Sequence, residues 1–167
     1  MSAPRQLSAS SVRIFVGNKH HMKHLVFVFA IVTACTRATE VKEVFVDSGE
    51  AIRGYDPVAY FKEGKPVEGR DELSFEWKNA SWKFSSPENL KDFQNAPEKY
   101  APQFGGYCAY GVADAHKAPT SPDAWTIVDG KLYLNYNTEV RDLWRENQAE
   151  FIDTAIRNWP TVKLEKD

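Results

Sequence analysis

The chain reads as an α+β domain, and three patterns predict that class. Two pairs of segments alternate apolar and polar residues with period two, each pair joined by a dipeptide suited to a tight turn. Proline-led stretches between the pairs look like the starts of short helices. From Thr138 to Asn158 the apolar residues recur at helical spacing. The architecture expected is two β-hairpins, short helices between them, and a long C-terminal helix packed across. Hydrophobic residues make up 43% of the 167 and aromatics 13%, enough for one core rich in Trp, Tyr and Phe.

Taken in order, the first apolar block is Leu25 to Ala34, preceded by the basic Met22-Lys23-His24. It is shorter than the ~20 residues a membrane span needs and fits the core of a signal peptide. Val32-Thr33-Ala34-Cys35 resembles a bacterial lipobox, in which the cysteine becomes the lipidated first residue of the mature chain. Residues 1–21 are Ser-rich and fit no signal pattern, so Met22 is expected to be the true start. The expected divisions are an N-terminal extension at 1–21, a signal peptide at 22–34, a tether at 35–50 in which Val44-Phe45-Val46 reads as a strand or an apolar clip onto the domain, the domain at 51–160 and a charged tail at 161–167. The location implied is the cell envelope, lipid-anchored through Cys35 or periplasmic, with the membrane as a partner.

Within the domain, Asp56-Pro57 is a cap followed by a first-turn proline, predicting a short helix with Val58, Tyr60 and Phe61 inward. Glu63 to Pro66 is a turn. Leu73 to Trp77 and Ala80 to Phe84 alternate on either side of Lys78-Asn79, giving the first hairpin. Ser85 and Glu88 stand at capping-box spacing with Pro87 between them, which opens a helix running to Asn95. Ala96-Pro97 starts another short turn. Trp125 to Val128 and Lys131 to Tyr136 flank Asp129-Gly130, a strong signal for a type I′ hairpin. Val140, Leu143, Trp144, Phe151, Ile152, Ala155 and Ile156 mark the C-terminal helical face, broken near Glu146-Asn147-Gln148, and Trp159-Pro160 closes the domain.

The stretch Phe104-Gly105-Gly106-Tyr107-Cys108-Ala109-Tyr110-Gly111 stands apart. It should open a short helix through Val112. Of the two cysteines, Cys35 falls at the end of the leader, so Cys108 is the thiol of the folded part. One reading makes it a buried structural cysteine at a helix start. The other makes it a soft metal ligand or a redox thiol. With His116 and Asp56 it forms a set of the kind that binds transition metals. Against that, His116 reads equally as an exposed loop histidine and Asp56 as a helix cap. Tyr55, Tyr60, Tyr107 and Tyr110 are candidates for a ligand pocket, or simply core.

Composition removes several classes. A net charge of −2, with no Lys/Arg run in the folded part, argues against nucleic acid. One thiol in the domain excludes an intrachain dithiol oxidoreductase and a cysteine-pair zinc knuckle. Gly105-Gly106 is not followed by the Gly-Lys-Ser/Thr of a phosphate loop. A thiol enzyme needs a base, and His116 with Asp114 or Asp123 is the only set on offer.

Tyr55-Asp56-Pro57-Val58, Trp82-Lys83-Phe84-Ser85-Ser86, Phe93, Pro97 and Tyr100 together resemble the YHS domain, a small α+β module. The match covers Asp56 to Tyr100, and Cys108-Ala109-Tyr110, His116-Lys117-Ala118 and the second hairpin resemble a longer envelope branch of that family. In metal-handling members the cysteines are taken as ligands. Here those positions are Ala59, Ser85 and Asn89, which removes the thiolate set selective for copper or zinc. With those thiolates gone, the resemblance implies much less about metal than in such members. The function expected is a non-enzymatic exported module that binds or senses a transition-metal ion, copper or zinc, through Cys108, with His116 and Asp56 from the residue reading as further donors. The alternative is a protein-interaction or small-ligand module without metal, its partner unspecified; the weakest alternative is a cysteine-dependent enzyme.

Overall fold

The computed structural model describes residues 42–166. The extension, the leader, Cys35 and the first part of the tether lie outside the described residues. The fold is α+β, with six strands and six helices among the described residues.

Strands β1 (Val46–Asp47), β2 (Glu50–Ala51), β3 (Arg70–Trp77) and β4 (Ala80–Phe84) form a sheet in the order β1-β2-β4-β3. β3 and β4 pair antiparallel through the expected Lys78-Asn79 turn. Both turn residues adopt positive φ, 50° and 57°, the type I′ geometry whose twist matches the strands it joins. β2 runs parallel to β4, meeting it at Glu50 and Ser81. β5 (Trp125–Val128) and β6 (Lys131–Leu134) make the second hairpin around Asp129-Gly130, again with both φ positive.

The helices are short. α1 (Ala59–Lys62) is led in by Asp56, whose Oδ1 accepts from the Val58 and Ala59 amides. α2 (Pro87–Asn95) has Pro87 in its first turn, and α3 (Pro97–Tyr100) follows at once. The α2 cap differs from the expected capping box by one residue. Ser86, not Ser85, accepts from the Asn89 amide at 3.1 Å, because the Ser85 hydroxyl is turned toward Asp56. α4 (Ala109–Ala113) starts on Cys108. The expected long C-terminal helix is two helices, α5 (Thr138–Glu146) and α6 (Gln148–Val162), separated at Asn147 where the break was expected. Leu143 and Ile156, which share the helical apolar spacing, are both 53% exposed.

Two boundaries move. Residues 35–50 were expected to be a tether carrying an apolar clip at Val44 to Val46; the clip is present, Val44 and Phe45 being buried, and the domain starts there, since 46–47 and 50–51 are strands of the sheet. Pro160 does not close the domain: α6 continues through it to Val162, which is buried, so the tail begins later.

The core has two parts. One gathers Val58, Tyr60, Trp82, Phe84 and Phe93 under the first sheet. The other gathers Phe104, Tyr107, Val112, Trp144 and Val162 under α4 to α6. β6 is the wall between them. Its alternation sends Leu132 and Leu134 into the first part and Tyr133 into the second, and all three are buried. The strap at 44–45 repeats the device, Val44 facing the first part and Phe45 the second. Gly105 lets the strap pass: its φ is +61°, and a Cβ there would collide with the Glu43 carbonyl oxygen. The Phe45 amide then donates to the Gly105 carbonyl at 2.9 Å.

Candidate functional site

The seam between the two core parts opens at the surface as a cleft of about 290 Å³. Its walls come from segments distant in sequence. The β3–β4 turn supplies Trp77 and Lys78, α3 supplies Glu98, the strained stretch before α4 supplies Phe104, and α6 supplies Ile156 and Trp159. Glu43 and Val44 of the strap complete it. Phe104 and Gly105 at the cleft both have positive φ, and for Phe104, at 54°, that conformation is uncommon and costs strain. The packing around Phe104, against Tyr133 at 6.0 Å and Trp159 at 5.9 Å, holds it there.

The rims of the cleft are charged in pairs. Lys78 Nζ lies 3.0 Å from Glu98 and 4.3 Å from the centroid of the Trp77 ring. Lys163 Nζ lies 3.3 Å from Glu43. Trp77 is itself fixed, edge to face with Trp82 at 5.8 Å and with Phe93 at 5.7 Å, so the ring under the Lys78 ammonium is held in place.

The three residues expected to hold a metal are not brought together. Cys108 is 2% exposed. Its Sγ faces Asn135 Oδ1 at 3.7 Å and accepts from the Gly111 amide at 3.4 Å, the thiol serving as cap of α4. Burial pushes the thiol pKa up, only partly opposed by the amides of Gly111, Tyr136 and Tyr110. His116 is exposed, and its Nδ1 faces the carbonyl and carboxylate of Asp114 in its own loop. Asp56 is fully buried and belongs to a different cluster. Its Oδ2 accepts from the Ser85 amide at 2.9 Å, the Ser85 hydroxyl at 2.6 Å and Asn89 Nδ2 at 2.7 Å. With the two amides on Oδ1, that carboxylate is surrounded by donors, which suits an anion and leaves no face for a cation. Among the described residues no three His, Cys, Asp or Glu side chains group as a metal set.

None of the tyrosine candidates lines the cleft, although Tyr107 packs behind it against Trp159 at 6.2 Å. Tyr60 is buried and donates to the Pro122 carbonyl at 3.1 Å, and burial drives its pKa far upward. Tyr55 faces Glu68 at 3.3 Å, and burial raises its pKa too. Tyr107 donates to the Lys42 carbonyl at 3.3 Å, and Tyr110 stacks on Phe151 at 5.0 Å. The cleft residues were missed because each reads as ordinary strand, turn or helix surface; the exposed Ile156 at a position of helical apolar spacing was the one local signal.

Compared with family models, with curated proteins and with solved structures, the chain matches none.

Proposed function

We propose that the chain is an exported, non-enzymatic binding module of the YHS type, and that the cleft at the core seam seats its ligand, a small molecule with an apolar ring. The cleft carries this reading. It lies at the meeting of two core parts, and its volume, just under the ~300–1,000 Å³ usual for ligand pockets, suits a ring of one or two cycles. Trp77, Trp82, Phe104 and Trp159 give it aromatic walls, and Glu43, Lys78, Glu98 and Gln103 add polar groups around them.

The placement of Ala59, Ser85 and Asn89 supports the YHS resemblance. Scattered in sequence, they converge on Asp56, the Ala59 amide at 3.3 Å and the other two at the distances above. Positions that once shared a ligand set would converge in this way, and here a carboxylate knot occupies the place. The separation of Cys108, His116 and Asp56 favours the small-ligand reading over metal sensing. The raised thiol pKa, and the absence of any hydrogen bond between Cys108 and His116 among the described residues, tell against a thiol nucleophile. Export and attachment at Cys35 rest on the leader pattern.

Calorimetric titration of the purified full chain with indole tests the proposal. Saturable binding is expected in the wild type and a loss of it in Ile156→Asp, which sets a charge at the exposed edge of the cleft without touching the core. Absence of saturable binding up to the solubility of indole, or equal binding by the variant, overturns it.

A further inference from the structure

The cleft already contains a cation. Lys78 projects from the tip of the hairpin, lays its ammonium on the Trp77 ring at 4.3 Å and meets the Glu98 carboxylate at 3.0 Å. An ammonium over an indole face with a carboxylate beside it is the arrangement by which proteins recognise amine ligands. The hold on Lys78 is weak. Its side chain is 43% exposed and that of Glu98 76%, and pairs so exposed contribute about 0–1 kcal/mol. The Lys78 stem is long and leaves from a turn, so its head can swing into water. The receiving surface stays when it does, because Trp77 is pinned by Trp82 and Phe93 and Glu98 stands on α3.

We infer that Lys78 is an internal stand-in for the ligand's own cation, and that the cleft takes an aromatic amine: a ring against Phe104, Ile156 and Trp159, and an ammonium on Trp77 and Glu98 in place of Lys78. This rests on the cleft being a ligand seat and adds the charge of its occupant. Binding exchanges one ammonium for another, so no charge is left buried and unpaired.

Indole and tryptamine separate the two layers of the argument, since they share a ring and differ by an ethylammonium arm. Both are titrated by calorimetry into the full chain as wild type, Lys78→Gln and Glu98→Gln. In Lys78→Gln, tryptamine should bind about two- to fivefold tighter than indole, the range for a cation on an exposed indole face. The margin should be smaller in the wild type, where Lys78 competes, and smallest in Glu98→Gln. If indole binds and tryptamine binds no tighter in Lys78→Gln, the amine inference is overturned and the ligand seat stands. A margin that persists undiminished in Glu98→Gln also overturns it, because the attraction then comes from overall charge. If neither compound binds any of the three chains, the seat itself is refuted and the inference falls with it.

Discussion

Five donors converge on the carboxylate of Asp56, drawn from the lead-in to α1, the end of β4 and the first turns of α2. The sequence marked Asp56 as a cap, and its Oδ1 takes the Val58 and Ala59 amides at the entry to α1, two residues ahead of the N-cap position at Val58. Its second oxygen, which ties α1 to the β4–α2 junction, was not legible, because Ser85 and Asn89 are about thirty residues away. Removing the carboxylate strands buried donors, each costing ~1–3 kcal/mol. Asp56→Ala should therefore lose at least ~3 kcal/mol of stability, read from the urea midpoint, and added formate should restore part of it by refilling the hole. A loss below ~1 kcal/mol would mean that water satisfies the knot. Cys108 shows the opposite balance. The bland expectation, a buried thiol at a helix start, matches its placement. Its folded pKa lies above the ordinary value of about 8.5. The native state then keeps the proton that the unfolded chain has lost, so stability is full below pH ~8.5 and falls as pH rises through the folded pKa. Tyr55, Tyr60 and Tyr133, all raised by burial, join above pH ~10. Thermal melts between pH 8 and 10 should slope downward in the wild type and flatten in Cys108→Ala.

At the scale of elements, the hairpins were legible because their information is local. Period-two alternation sets the faces, and Lys78-Asn79 and Asp129-Gly130 tolerate the positive φ that a type I′ turn demands. Caps and straps depend on partners elsewhere in the chain. The capping box slipped by one residue because Ser85 is claimed by Asp56, and the strap was legible as an apolar clip but not what it clips onto, because three apolar residues carry no periodicity of their own. Gly105 and Gly130 separate these two kinds of information. Both have positive φ, yet a side chain at Gly130 meets nothing within 4 Å, whereas one at Gly105 strikes the strap. Gly130→Ala should cost about 1 kcal/mol, the backbone term alone. Gly105→Ala should cost more, at least ~2 kcal/mol with strain and displacement of Phe45 combined. Limited proteolysis should cut the variant near Lys42 faster than the wild type. Equal melting losses for the two substitutions would mean that the close approach at Gly105 has no energetic weight.

Across the whole molecule, the decisive feature is the seam. β6 and the strap each divide their side chains between two apolar clusters, and the cleft opens where those clusters part. The α+β class and most element boundaries could be read from the sequence, since propensity, turn chemistry and periodicity act over a few residues. The cleft could not, because residues from 43 to 160 build it and no short window contains its chemistry. The expected site failed for the same reason. Cys108, His116 and Asp56 are compatible as donors, but the fold sends one to a helix cap, one to solvent and one to a carboxylate knot. Mapping amide and indole shifts of the full chain by proton–nitrogen correlation spectra during an indole titration tests the seam most directly. Saturable shifts confined to Trp77, Phe104, Ile156, Trp159 and their neighbours are predicted; shifts absent from these residues, or spread over the surface without saturation, would contradict a ligand seat at the seam.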